Sequence, residues 1–117
     1  MKTKTIVLLI MLAGNLFAQS PGKLTEIKIK TSAQCEQCKN RIEGALAFEK
    51  GVKRADLNLE TKIVTVIYTT GKTDPSKLRK VISKTGYDAD DVKADQDAYK
   101  KLPACCKMPD DQEHKQH

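Results

Sequence analysis

Two cysteine pairs carry the chemistry open to this chain, Cys35-Glu36-Gln37-Cys38 and the adjacent Cys105-Cys106. The first lies between a strand-like run, where Leu24, Ile27 and Ile29 alternate loosely with polar residues, and a run where Ile42, Ala45 and Leu46 recur at helical spacing. That spacing puts Cys35 and Cys38 on a loop entering a helix N-terminus. Unpaired backbone N–H groups and the helix dipole there favour thiolate over thiol. Two soft thiolates on a short loop can close on one low-coordinate soft ion such as Cu(I). They can equally form a redox disulfide.

The elements that must position these thiols follow in order. A first strand is expected at about Leu24–Lys30, then the cysteine loop, then a helix from about Cys38 to Lys50 stopped by Gly51. Ala55, Leu57 and Leu59 share one face of a second strand, and Ile63 to Tyr68, rich in branched side chains, forms a third. Asp74 as N-cap and Pro75 at the first helical position start a second helix with Leu78, Val81 and Ile82 as its buried stripe and Gly86 at its end. A weaker fourth strand is expected around Ala89–Val92. The order βαββαβ predicts an α+β, ferredoxin-like sandwich: a four-stranded antiparallel sheet with strands one and three central, and both helices on one face.

Residues 1–18 are set apart from this domain. Lys2 and Lys4, the apolar run Ile6 to Ala13 and Leu16-Phe17-Ala18 read as a signal peptide cleaved near Ala18. The run is short of the roughly 20 residues a bilayer span needs. A buried N-terminal helix is the plainer alternative. No cysteine closely follows the apolar run, so a lipid anchor is not expected. The mature protein is expected to be soluble and periplasmic, with no stable membrane insertion after processing. The formal charge of +6 falls by two with Lys2 and Lys4, and the remaining basic residues are scattered with few aromatics among them. This is a solvated surface rather than a nucleic-acid footprint. Four cysteines in an oxidising compartment first suggest two disulfides, but a C-x-x-C with an adjacent pair looks more like two small thiol sites.

Cys35-x-x-Cys38, Ile42-Glu43-x-Ala45-Leu46, Gly51-Val52, Leu57-x-Leu59, Val64-Thr65-Val66 and Thr85-Gly86-Tyr87-Asp88-Ala89 together resemble the heavy-metal-associated domain family over about residues 24–94. That family includes copper chaperones, modules of copper-pumping ATPases and a periplasmic mercury-binding protein. The resemblance implies that Cys35 and Cys38 ligate Cu(I) or Hg(II), and that Tyr87 lies beside the metal loop, either shielding the site or simply packing over the sheet edge. The sequence departs from the family where Ser32-Ala33-Gln34 replaces the usual Gly-Met-Thr; the loop then needs another support. Glu49 stands where an apolar residue is usual two positions before Gly51, and neighbouring Phe48 is expected to fill the space.

Residues 95–117 form an extension that the resemblance does not cover. Asp95 can cap a short helix that Pro103 terminates. A helix of about eight residues rises roughly 12 Å, and three extended residues add roughly 10 Å. That matches the roughly 17–20 Å of a short strand. Cys105 and Cys106 can therefore return to Cys35 and Cys38 as additional ligands or as a redox lock. Met108, His114 and His117 are further candidate ligands, against a plain charged tail.

The function expected is capture and transfer of a thiophilic ion by ligand exchange, not enzymatic, with a metal transporter or another thiol-rich metal protein as partner. One alternative is a thiol–disulfide oxidoreductase using the C-x-x-C pair, although no Trp, Gly or Pro adjoins the cysteines as in the thioredoxin-type motif. Another is a structural domain stapled by disulfides.

Overall fold

The computed structural model describes residues 22–109. The leader expected over 1–18, and His114 and His117, lie outside the described residues. The chain runs β1 (Leu24–Lys30), α1 (Glu36–Phe48), β2 (Val52–Asn58), β3 (Ile63–Thr69), α2 (Pro75–Thr85), α3 (Gln96–Lys100) and a 3-10 turn, Ala104–Cys106.

The most branched segment takes the centre of the sheet, whose order is β1-β3-β2 with both pairings antiparallel. Registers align the inward residues in rows: Ile29 and Leu57 both face Val64, and Ile27 and Ala55 both face Val66. Ile42 and Leu46 of α1 and Leu78 and Ile82 of α2 close over these rows as one buried core. Each such side chain contributes roughly 1.5–3 kcal/mol on burial. The helices therefore share one face of the sheet. Among the described residues no helix is long and apolar enough to cross a membrane.

The second helix begins and ends as expected. The Asp74 carboxylate accepts the Lys77 N–H at 2.9 Å, Pro75 is first in the helix, and Gly86 ends it at φ 109°. The first helix starts two residues earlier than expected, which makes Cys35 its N-cap and puts Cys38 inside the first turn. It also ends at Phe48, whose ring is 93% exposed and fills no core space. Two helical positions beyond buried Leu46, Phe48 is about 200° round the axis and points to solvent.

The fourth strand expected at Ala89–Val92 is not formed among the described residues, so the sheet has three strands. Asp90 adopts a left-handed φ of 53°, which Asp tolerates better than most residues. The segment then pairs with itself: Ala89 N–H donates to Val92 O and Val92 N–H to Ala89 O, each at 2.9 Å. The outer edge of β1 is still covered. Thr31 bridges Ala89, Lys30 N–H donates to Asp90 Oδ1 at 2.9 Å, and Asp90 N–H donates to Lys30 O at 2.8 Å. On the opposite edge the Leu57 N–H donates to Glu43 Oε2 of α1 at 2.7 Å. Both edges are blunted against further pairing.

The extension packs back on the end of α2. Asp95 N–H donates to Ser83 O at 2.9 Å, and the Asp95 carboxylate caps α3 through Ala98 N–H at 3.0 Å. This helix has five residues rather than about eight. Leu102 beyond it is buried in the core. Gly86 permits this seating, since a Cβ there would lie 3.2 Å from the Ala98 carbonyl carbon and from Leu102 Cδ1.

Candidate metal centre

The loop before α1 is held by side-chain oxygens in place of a buried methionine. Thr31 Oγ1 donates to Lys62 O at 2.8 Å and accepts the Ala33 N–H at 3.3 Å. Ser32 Oγ accepts the Asp88 N–H at 2.9 Å, tying the loop to the segment that carries Tyr87. Ala33 is fully buried, which draws the backbone inward. From this anchorage the helix starts with Cys35, whose backbone is extended and whose carbonyl accepts the Lys39 N–H at 3.1 Å. The sulfurs of Cys35 and Cys38 stand 3.4 Å apart.

Leu102 brings the last described segment over this loop. Cys106 N–H donates to Pro103 O at 2.9 Å, closing the 3-10 turn, and the Cys106 sulfur lies 3.8 Å from that of Cys35. Cys105 and Cys106 sulfurs are 3.8 Å apart, and those of Cys35, Cys105 and Cys106 all lie within 4.8 Å of one another. The Cys105 thiol donates to Gln37 Oε1 at 3.3 Å. Gln34 Nε2 donates to Met108 Sδ at 3.7 Å, and Met108 N–H donates to the Tyr99 hydroxyl at 2.9 Å. All four cysteines are free thiols. Cys38 and Cys106 are buried, Cys35 is half-buried and Cys105 is exposed.

Charge is distributed unevenly over these sulfurs. Burial pushes the Cys35 thiol up, but the Cys38 backbone N–H and the thiols of Cys38, Cys105 and Cys106 outweigh it and bring it down to about 7. Cys38 goes the other way. Burial first, then the neighbouring Cys106 thiol, push it up to about 11. Burial also raises Cys106. Proximity to one another means the four cannot all ionise without a cation among them.

Tyr87 is fully buried, and its hydroxyl has no hydrogen-bond partner among the described residues. Burial, then the sulfurs of Cys106 and Cys38, raise its pKa well above the ordinary phenol value, so the hydroxyl keeps its proton. A protonated phenol facing two sulfurs is a ready donor to either thiolate, and it favours the charged form of both. Tyr87 thus packs in the core with a hydroxyl left to meet a thiolate.

Cys35, Cys38, Cys105, Cys106 and Tyr87, all named from sequence, are brought to one end of the molecule, with Met108 at the rim. Gln37, Gln34 and Ser32 were not named. Position alone hinted at Gln37, between the paired cysteines; the partners of Gln34 and Ser32 are 74 and 56 residues away and leave no local signal. Soft, closely spaced and partly ionised sulfurs suit a thiophilic ion entering from the side of Cys35 and Cys105.

Residues 32–88 match the heavy-metal-associated domain. The copper chaperone CopZ of Staphylococcus epidermidis is 39% identical over 54 residues, which are 46% of this chain and 79% of that one. The copper-exporting P-type ATPase of Staphylococcus saprophyticus is 38% identical over 76 residues, covering 63% of this chain and 10% of the ATPase. Among solved structures, a CopZ metallochaperone superposes with a TM-score of 0.54 at 33% identity, over 56% of this chain and 98% of that one. With its ferredoxin-like body and its paired cysteines at the head of the first helix, the chain belongs to the heavy-metal-associated domain family.

Proposed function

We propose that this protein captures Cu(I) at Cys35 and Cys38 and hands it on by thiolate exchange, without covalent catalysis. One observation carries the reading. Cys35, the N-cap residue, has its sulfur 3.4 Å from that of Cys38 and its thiol brought down to about 7, so it carries thiolate at neutral pH while only half-buried. Such a group attacks an incoming ion without prior loss of a proton. Cu(I) is proposed over Hg(II) because the relatives matched in sequence include a copper chaperone and a copper-exporting ATPase. The same relatives support a membrane copper transporter or a second thiol-rich module as partner, and a carrier rather than an oxidoreductase.

Transfer proceeds as an exchange of ligands. An incoming thiolate adds to the ion, Cys35 leaves, and the buried Cys38 is the last to let go. The protonated Tyr87 hydroxyl beside Cys38 stabilises that thiolate while the ion departs. The leader read over residues 1–18 would place this exchange in the periplasm. Mass spectrometry of protein recovered from a periplasm tests that step: an N-terminus near Gln19 with no lipid adduct is expected, and an intact Met1 would refute it.

The binding test is competition for Cu(I) against a chromophoric chelator. Cys35→Ser/Cys38→Ser is expected to lose tight binding while keeping the fold. A double variant that competes as well as the wild type would remove the proposal.

A further inference from the structure

The four sulfurs form a larger donor set than a two-coordinate site uses. We infer that Cys105 and Cys106 complete, with Cys35, a three-thiolate site for a thiophilic ion such as Cu(I), with Cys38 beside it as the fourth sulfur. This inference rests on the loop pair binding the ion, and it assigns the extension a part in holding it.

Distances decide between coordination numbers. At a metal–sulfur bond of about 2.3 Å, a linear pair of sulfurs is about 4.6 Å apart, a trigonal set about 4.0 Å and a tetrahedral set about 3.8 Å. Cys35–Cys106 and Cys105–Cys106 both measure 3.8 Å, with the Cys35–Cys105 separation inside 4.8 Å. Cys35 and Cys38 alone, at 3.4 Å, must open by more than 1 Å to grip an ion linearly, whereas the three-sulfur set needs only small adjustment. The larger set is the better preorganised one.

The extension is built to stay there. Leu102 is buried against Gly86, and Cys106 is only 1% exposed. Gln37 accepts from Cys105, and Gln34 donates to Met108, so the loop grips the turn from two sides. The sulfurs fall into an inner pair, Cys38 and Cys106, and an outer pair, Cys35 and Cys105. An arriving or departing ion meets the outer pair first. A partner offering two thiols must then displace Cys105 and Cys106 as well as Cys35, so the extension slows release.

The test uses the full chain through His117, loaded anaerobically with Cu(I), beside Cys105→Ala/Cys106→Ala, which keeps the turn apolar, and Cys35→Ser/Cys38→Ser. X-ray absorption is expected to count three or four sulfurs in the wild type and two, at shorter distance, in Cys105→Ala/Cys106→Ala. Affinity should drop at least about tenfold, the least that losing even a supporting partner of a metal ligand costs. Release to a small dithiol acceptor should become several-fold faster. Two sulfurs in the wild type, with affinity and release unchanged in Cys105→Ala/Cys106→Ala, would overturn the inference; Cu(I) binding lost in Cys35→Ser/Cys38→Ser would still leave the loop site standing. Wild-type binding by Cys35→Ser/Cys38→Ser would overturn both.

Discussion

The two cysteine pairs are alike in plan and unlike in support. Each sets one buried sulfur beside a more open one, Cys38 with Cys35 and Cys106 with Cys105. The loop pair belongs to a helix whose Cys38, Ile42 and Leu46 are part of the core, so it moves only if the core moves. The tail pair hangs on Leu102 and a 3-10 turn, after a five-residue helix with no buried residue. Segments with so few buried contacts open locally at a fraction of the global unfolding free energy. One arm of the site is therefore fixed by the fold, and the other is docked on it by Leu102, Cys106 and two side-chain contacts, and is the first to open. A rigid arm sets geometry; a detachable arm sets how fast an ion leaves.

The sharpest contrast should appear within the loop pair, in reactivity. Without metal, the Cys35 thiol titrates at about 7 and Cys38 at about 11. As pH rises through neutrality Cys35 gains its thiolate first, while Cys38 keeps its proton. The lower-pKa thiolate is intrinsically the weaker nucleophile, which offsets part of this. Alkylation of Cys35 should still be on the order of a hundredfold faster at pH 7, with a midpoint near 7 by peptide-resolved mass spectrometry. Equal rates for the two would show that the N-cap position does not sort their charges.

Next in size are two variants that strike the arms differently. Gly86→Ala forces a side chain into a left-handed position at φ 109° and against Ala98 and Leu102, and should cost roughly 1–3 kcal/mol. Because Gly86 both ends α2 and seats the tail, global stability and tail docking should fall together. Leu102→Ala should instead open the tail alone. About 2 kcal/mol lost from its docking is about a thirtyfold rise in the open population. Alkylation of Cys106 should speed up accordingly, with Cys38 as protected as before. If Leu102→Ala lowers the melting temperature as much as Gly86→Ala, the tail is part of the core unit and the two arms do not differ.

The same division explains what was legible in the sequence. β1, β3 and α2 were marked by local chemistry: alternation, branched side chains, an Asp-Pro start and a glycine stop. Those signals act over a few residues. α1 starts two residues before its apolar stripe, which begins at Cys38, and its N-cap is a cysteine, which carries no capping signature. Phe48 looked like core because apolarity was read without its angle round the helix. The missing fourth strand turned on a single left-handed residue, Asp90, which composition does not announce. Return of Cys105 and Cys106 to the loop follows from chain length alone, but the grips of Gln37 and Gln34 that fix it depend on pairs far apart in sequence.

The smallest effect expected comes from Asp90, at the turn between the loop side and the tail. Its carboxylate accepts from Arg79 Nε and from the Lys30 N–H, each at 2.9 Å, and both partners of the ion pair are about one-third exposed. Burial pushes the carboxyl up, but Arg79 and the Lys30 amide outweigh it, so its folded pKa lies below the ordinary value. A group depressed in the folded state contributes stability above its unfolded pKa of about 4 and loses it as pH falls through the folded value. Asp90→Asn keeps a residue that tolerates the left-handed turn and an oxygen for the Lys30 N–H, and removes the charge together with the oxygen that accepts from Arg79 Nε. The variant should be less stable by at most about 1 kcal/mol at pH 7, the range for a part-exposed ion pair. The difference should shrink toward zero in denaturant melts taken progressively below pH 4, as the pH falls through the lowered folded pKa and wild-type Asp90 becomes neutral. Arg79→Gln should give the same loss, and the double variant little more than either single one. A gap between Asp90→Asn and wild type that persists unchanged into acid would assign the effect to the turn backbone rather than to the charge. The Cys35 alkylation midpoint should not move in Asp90→Asn, because none of the groups that set it lies on this turn.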